Sequence, residues 1–140
     1  MNALDLSAAP PRNPYAQLEG IIFLPRTIDK ICASLPGGNL GDYSITGFST
    51  MMLDALGITL EAFTAVVRDA ADDETITKYV KTQTTPERIA AWDATARAFV
   101  IRGGDRAAAL AGYPWLAAYE ELPKALDALV EDDRRLFPTT

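Results

Sequence analysis

The sequence predicts a mainly α-helical fold, in which an extended proline-rich N-terminal arm leads into a single compact multi-helix domain. Apolar residues repeat at helical spacing in several segments, and residues typical of helix ends bound these segments. No segment alternates polar and apolar residues for long enough to predict a larger sheet. We therefore expect at most one short β segment, and residues 43–46 are the candidate.

The predicted arm comprises residues 1–14. It contains Pro10, Pro11 and Pro14, which cannot continue a helix or donate a hydrogen bond to a sheet ladder. We expect one domain over residues 1–140, with the arm followed by a helical core at 15–102 and C-terminal helices at 103–140.

The first predicted helix begins at Pro25, because proline fits a first helical turn, where its missing N–H has no partner to lose. It ends where Pro36 and two glycines follow. Its apolar residues recur at helical spacing: Ile28, Ile31, Cys32 and Leu35. Arg26, Asp29 and Lys30 share the opposite face, and the simplest interpretation is a solvent-exposed side with an Arg26–Asp29 ion pair.

Four further helices are predicted from residues that can cap a helix N-terminus. These caps are Ser49, Thr59, Asp72 or Asp73, and Thr85, which precedes Pro86. Gly57 ends the first of these helices, and the last extends to about Arg102. A final apolar stripe follows at Leu122, Leu126, Leu129 and Val130.

The residue composition excludes several kinds of site. The chain has no histidine and one cysteine, Cys32, so it cannot form an internal disulfide, a multi-cysteine metal site or a Ser-His nucleophile pair. We therefore expect no metal and no cofactor. Cys32 and Trp92 lie on apolar stripes and are interpreted as core residues.

The charge and hydropathy of the chain indicate its surroundings. A net charge of −6 argues against nucleic-acid binding, because phosphate neutralisation dominates that affinity. No apolar run approaches the roughly 18 residues of a membrane span. The first residues lack the cationic and apolar regions of a secretory signal. We expect a cytoplasmic protein with neither nucleic acid nor a membrane as partner.

Five segments carry a family resemblance: GIIFLPRTIDKICASLPG, LGDY, LDALGITLEAF, DDETITKYV and TPERIAAW. Together they resemble the DUF5069 family of small bacterial proteins of unknown function, over roughly residues 10–95. The most specific part is the pattern LPRxxDKxxAxLxG followed by GxY, whose polar members here are Arg26, Asp29, Lys30 and Tyr43. The resemblance implies an α-rich bacterial domain and supplies no activity.

Besides forming a solvated face, the four polar residues of this pattern have two possible roles that the sequence leaves open, one structural and one in ligand binding. In a structural use, the planar guanidinium of Arg26 binds Asp132 or Asp133 of the last helix. In a ligand-binding use, Arg26 and Lys30 hold a small carboxylate or phosphate beside the glycine-rich loop. Tyr43 then offers its hydroxyl, and Asp29 orients Arg26.

We therefore predict a non-enzymatic helical domain that binds a small anionic ligand or a protein partner through the face of Arg26, Asp29 and Lys30. The alternative is an enzyme acting on a small carboxylate or phosphate substrate, with Arg26 and Lys30 binding the anion and Tyr43 or Asp29 transferring a proton. A homodimer is also expected, because residues 105–122 carry a surplus of apolar side chains.

Overall fold

The structure, a computed structural model, describes residues 1–138, whose contacts divide into two units. The first unit is Met1–Asp93, and the second begins at Ala94. The predicted mainly α-helical class is confirmed. In chain order the α-helices are α1 (Leu24–Ser34), α2 (Phe48–Leu56), α3 (Leu60–Asp69), α4 (Asp73–Gln83), α5 (Pro86–Ala98), α6 (Arg106–Gly112) and α7 (Ala125–Leu136). Short 3-10 helices lie at Ile101–Gly104 and Pro114–Ala118.

The short β segment is a two-stranded hairpin in the first unit. β1 (Gln17–Leu18) and β2 (Ile21–Ile22) pair in antiparallel fashion. Glu19 and Gly20 connect them with φ angles of 47° and 81°, the positive values that a two-residue type I′ turn requires. Residues 43–46 contain no strand. That placement is wrong because the chain turns there, with the Tyr43 N–H donating to the Leu40 carbonyl at 3.0 Å.

α1 and α2 begin close to the predicted residues, but Ser49 does not cap α2. α1 starts at Leu24, one residue before Pro25, and α2 starts at Phe48, so Ser49 lies inside the helix. Ser49 is fully buried, and its hydroxyl accepts a hydrogen bond from the Thr27 hydroxyl at 3.1 Å. The capping prediction is wrong because a buried partner on α1 binds this hydroxyl.

The other predicted caps are confirmed. Each accepts a hydrogen bond from the backbone N–H three residues later, at 3.1, 2.9 and 3.2 Å: Thr59 from Ala62, Asp72 from Thr75, and Thr85 from Arg88. Gly57 follows α2 with a φ of 79°, a left-handed conformation that glycine adopts without steric cost.

α5 ends at Ala98 rather than at about Arg102. The following residues form hydrogen bonds with the segment that precedes α7. The Ile101 N–H donates to the Pro123 carbonyl at 3.0 Å, and the Ala125 N–H donates to the Phe99 carbonyl at 2.7 Å. These tertiary hydrogen bonds replace helical ones, which local sequence preference does not reveal.

Trp92 connects α5 to the hairpin within the first unit. Its indole is 1% exposed, and its N–H donates to the Ile22 carbonyl at 2.9 Å. Its ring centroid lies 5.2 Å from that of Phe48, which lies 4.7 Å from that of Phe23. Trp92 and Cys32 are both buried core residues, as predicted.

In the second unit, α6 and α7 contact the 3-10 helices, and Leu116 and Leu126 are fully buried. Tyr113, Trp115 and Tyr119 are half-buried, with Trp115 packing on the two tyrosine rings at centroid distances of 6.2 and 5.6 Å. Part of the apolar surface of residues 105–122 is therefore buried within one chain. The homodimer stays a prediction.

No single helix within residues 1–138 is long and apolar enough to cross a membrane; α2 and α3 meet that test only when taken together, across a bend of 96°.

We expect Trp92→Phe to lower the free energy of unfolding by about 2–3 kcal/mol, because it leaves a cavity and an unsatisfied Ile22 carbonyl. Urea denaturation followed by circular dichroism measures this loss. Trp115→Phe is the matched control, with an expected loss of about 1 kcal/mol at a half-buried site. Equal losses in the two variants would contradict the central position assigned to Trp92.

The stability that the Asp72 cap gives to α4 depends on pH. Its hydrogen bonds with the backbone N–H and hydroxyl of Thr75 hold the pKa of Asp72 below its ordinary value of 3.8. Because the folded-state pKa is lowered, the stabilisation is complete above about pH 4 and is lost as the pH falls through the folded-state value. We expect the stability difference between wild type and Asp72→Ala to narrow below pH 4 in urea titrations. A difference that stays constant between pH 7 and pH 3 would exclude this cap as a titrating contact.

For the homodimer, we expect light scattering to give twice the chain mass of 15.1 kDa at high protein concentration and a decrease on dilution. A mass of one chain at every concentration up to the solubility limit would contradict it.

Candidate functional site

Three of the four predicted site residues lie on α1, and all three are buried. Arg26 is 0% exposed, Asp29 is 8% exposed and Lys30 is 6% exposed. The interpretation of this face as a solvent-exposed side is therefore wrong. Residues of the N-terminal arm and the rings of Phe23 and Tyr43 contact the three charged side chains.

The guanidinium of Arg26 contacts two aromatic rings. Its central carbon lies 5.4 Å from the ring centroid of Tyr43 and 5.9 Å from that of Phe23. Its Nη1 donates a hydrogen bond to the Arg12 carbonyl at 3.2 Å. Aromatic rings attract a cation through their negative faces, and the attraction is larger where water is excluded. Arg26 is therefore a cation held in an aromatic, dehydrated setting.

Lys30 brings a second cation to the same ring. Its ammonium nitrogen lies 5.6 Å from the ring centroid of Phe23. Phe23 is fully buried and has a φ of 73°, an unfavourable conformation for a bulky side chain. Such strain costs about 1–3 kcal/mol and persists only where the surrounding contacts hold it. Tertiary contacts therefore position the ring that the two cations share.

Asp29 accepts hydrogen bonds from Arg12, a residue of the arm. The Arg12 backbone N–H donates to Oδ2 at 2.8 Å, and Nη2 donates to Oδ1 at 3.0 Å. Nε of Arg12 lies 3.1 and 3.2 Å from the two oxygens. The predicted Arg26–Asp29 ion pair is wrong, because the arm rather than the preceding helical turn supplies the cation.

Arg12 also binds Asp73, at the start of α4. Its Nη1 and Nη2 donate to the two carboxylate oxygens of Asp73 at 2.6 and 3.1 Å. The side chain of Arg12 is 38% exposed, and those of Asp29 and Asp73 are 12% and 30% exposed. The hydrogen bonds that Arg12 donates to Asp73, followed by its contacts with Asp29, raise the pKa of Arg12 above its ordinary value. We call Arg12, Asp29 and Asp73 the Arg12 clamp.

The Arg12 clamp is absent from the sequence-based prediction. A single arginine in a proline-rich arm has no spacing that points to a partner, and Asp73 is explained by its place in the first turn of α4. The sequence gives one weak indication that the arm is fixed near Arg12, since Pro11 and Pro14 stiffen the backbone on either side of it. Both prolines are buried in the structure.

A cleft of about 790 Å³ opens beside the Arg12 clamp. Its lining includes Leu4, Pro10 and Arg12 of the arm, Asp29 and Cys32 of α1, and Asp73. Its volume lies in the range of small-molecule sites. Burial, followed by the charge of Asp29, raises the pKa of the Cys32 thiol, so its nucleophilic thiolate is disfavoured.

Tyr43 lies in the loop between α1 and α2 and is half-buried. Among the four predicted residues, Arg26 contacts the rings of Phe23 and Tyr43 and Lys30 contacts that of Phe23, whereas Asp29 belongs to the Arg12 clamp. Within residues 1–138, no group of three histidine, cysteine or acidic side chains could hold a metal ion.

Comparison with protein families confirms the resemblance to DUF5069 that the sequence pattern indicated. A family model described as a domain of unknown function (DUF5069) matches residues 8–125 of the 140 residues. The matched range includes all the residues of the Arg12 clamp, together with Arg26, Lys30 and Tyr43. No curated protein matches the chain. Since the family model covers well over half of the sequence, this protein belongs to the DUF5069 family.

Proposed function

We propose that this protein is a non-enzymatic domain that binds a small carboxylate or phosphate through Arg26, Lys30 and Tyr43. The observation that carries the proposal is the pair of cations on α1. They are 0% and 6% exposed, and they lie 5.9 and 5.6 Å from one phenylalanine ring.

Two buried cations favour an anionic ligand for electrostatic reasons. The attraction between opposite charges increases as water is excluded. The guanidinium of Arg26 matches a carboxylate or phosphate through two parallel hydrogen bonds. Lys30 adds a compact point charge without that geometric demand.

The Arg12 clamp reduces the main electrostatic obstacle to such a ligand. Asp29 lies between Arg26 and Lys30 in the sequence, and its carboxylate would repel an incoming anion. The hydrogen bonds from Arg12 to Asp29 offset that charge.

Tyr43 supplies the third polar group of the proposed site. Its hydroxyl is a group that can donate a hydrogen bond to an anion, and its half-buried ring contacts the guanidinium of Arg26. Its loop carries several glycines and is largely exposed.

The enzyme alternative needs Tyr43 or Asp29 to transfer a proton. Asp29 is poorly suited, because both of its carboxylate oxygens already accept hydrogen bonds from the backbone N–H and the guanidinium of Arg12. Tyr43 would need a strongly lowered pKa to act near neutrality. Binding without turnover is therefore the favoured function. A protein partner that presents a carboxylate would use the same cations, and the pairing of Arg26 with Asp132 or Asp133 stays a prediction.

The test is a thermal-shift and calorimetric screen of small carboxylates and inorganic phosphate at low salt. A ligand at 100 times its dissociation constant adds about 2.7 kcal/mol of stability, so we expect the melting temperature to rise by several degrees. Arg26→Met and Lys30→Met should abolish the shift. Tyr43→Phe keeps the ring on Arg26 and should weaken binding about tenfold, through loss of one hydrogen bond to a charged group.

Arg68→Met is the matched control, since Arg68 is an exposed arginine of α3 that pairs with the exposed Asp69. It removes one positive charge elsewhere and should leave the shift unchanged. The proposal fails if no anion stabilises wild type, or if Arg26→Met and Lys30→Met respond as wild type does. A large fall in the melting temperature of ligand-free Arg26→Met, without any anion effect in wild type, would assign Arg26 the structural role.

A further inference from the structure

The N-terminal arm, residues 1–14, is attached to the rest of the first unit mainly by hydrogen bonds and ion pairs. Most of its side chains are exposed, and Leu6, Pro11 and Pro14 are its buried residues. Its terminal ammonium donates hydrogen bonds to three carbonyls at the end of α3 and just after it, those of Val67, Arg68 and Ala70. Its backbone pairs with α1 and with the loop after α1 at two further places. The Leu4 N–H donates to the Cys32 carbonyl at 3.3 Å, and Leu4 and Leu6 exchange hydrogen bonds with the Asn39 backbone at 2.9 and 2.7 Å.

The attachment of the arm with the most hydrogen bonds is the Arg12 clamp. One guanidinium binds a carboxylate of α1 and a carboxylate of α4, and the backbone N–H of the same residue binds Asp29 as well. The clamp borders the open cleft, and more than a third of the Arg12 side chain is in contact with solvent. Dissolved ions can therefore screen these ion pairs.

We propose that the arm opens and closes on the rest of the first unit, and that the Arg12 clamp determines how often it is open. The arm has little buried apolar surface to hold it when the ion pairs are weakened, whereas α1 beneath it is buried along almost its whole length. Segments with few apolar anchors and partly exposed hydrogen bonds open at lower free energy than the core. This proposal does not depend on the anion site.

Cys32 reports on this opening. Its side chain is 1% exposed and lines the cleft together with Leu4 and Pro10 of the arm. Its carbonyl accepts the hydrogen bond from Leu4. It is also the single cysteine of the chain, so every thiol signal comes from this position.

The experiment measures the rate at which a disulfide reagent labels Cys32 in the native protein, at constant pH and without added anionic ligands. When closing is fast, the labelling rate is proportional to the open fraction. We expect Arg12→Met to raise the rate about tenfold or more and Asp73→Asn to raise it less. The double variant should behave like Arg12→Met, because the two changes remove the same interaction.

Electrostatics alone would change the labelling rate in the opposite direction. The positive charge of Arg12 lowers the pKa of Cys32, so its removal by itself would leave less thiolate and slow the reaction. A faster reaction in Arg12→Met therefore reports exposure. At about 0.5 M NaCl, where screening is strong, wild type should also react faster and Arg12→Met should change little.

Arg68→Met is again the control, because it removes an exposed arginine of α3 that pairs with the adjacent Asp69, and it should leave the labelling rate unchanged. The dependence of the rate on urea separates local from global opening, since the slope scales with the surface exposed. A shallow slope supports the proposal. It is overturned if Arg12→Met labels at the wild-type rate, or if both proteins label only with the steep urea dependence of complete unfolding.

Discussion

The first unit depends on the burial of α1, a helix that carries three charged side chains into the protein interior. A buried charge is strongly destabilising unless hydrogen bonds, ion pairs or aromatic rings compensate it. Compensation here comes from Arg12 of the arm, which binds Asp29, and from the rings of Phe23, just before α1, and Tyr43, in the loop after it, which contact the two cations. The arm, the residue that follows the hairpin and the loop after α1 thus each supply a contact to a charged side chain of α1.

Arg12 contacts both an anionic and a cationic side chain of α1. Its side chain offsets the charge of Asp29, and its carbonyl accepts the hydrogen bond from Arg26. A movement of the arm would therefore remove one contact of the cation that we assign to ligand binding. It would also restore the repulsion between Asp29 and an anion. Binding at α1 and closure of the arm are thus expected to favour one another, although each has its own experimental readout.

The elements that the sequence predicts well are those whose ends depend on neighbouring residues. Thr59, Asp72 and Thr85 cap helices because each side chain reaches a backbone N–H three residues away. Predictions failed where a distant partner intervened. Ser49 binds Thr27 of another helix, and the chain after Ala98 pairs with residues 123–125 instead of continuing α5.

The sequence by itself determined the mainly helical class, most helix ends, the core positions of Cys32 and Trp92, and the family pattern that contains Arg26, Lys30 and Tyr43. These features arise from local geometry and from the spacing of apolar residues. Only the tertiary structure decided that the charged face of α1 is buried and that Asp29 binds Arg12. The spacing of charges on a helix is the same whether water or protein covers them, so burial depends on segments that fold back from elsewhere in the chain.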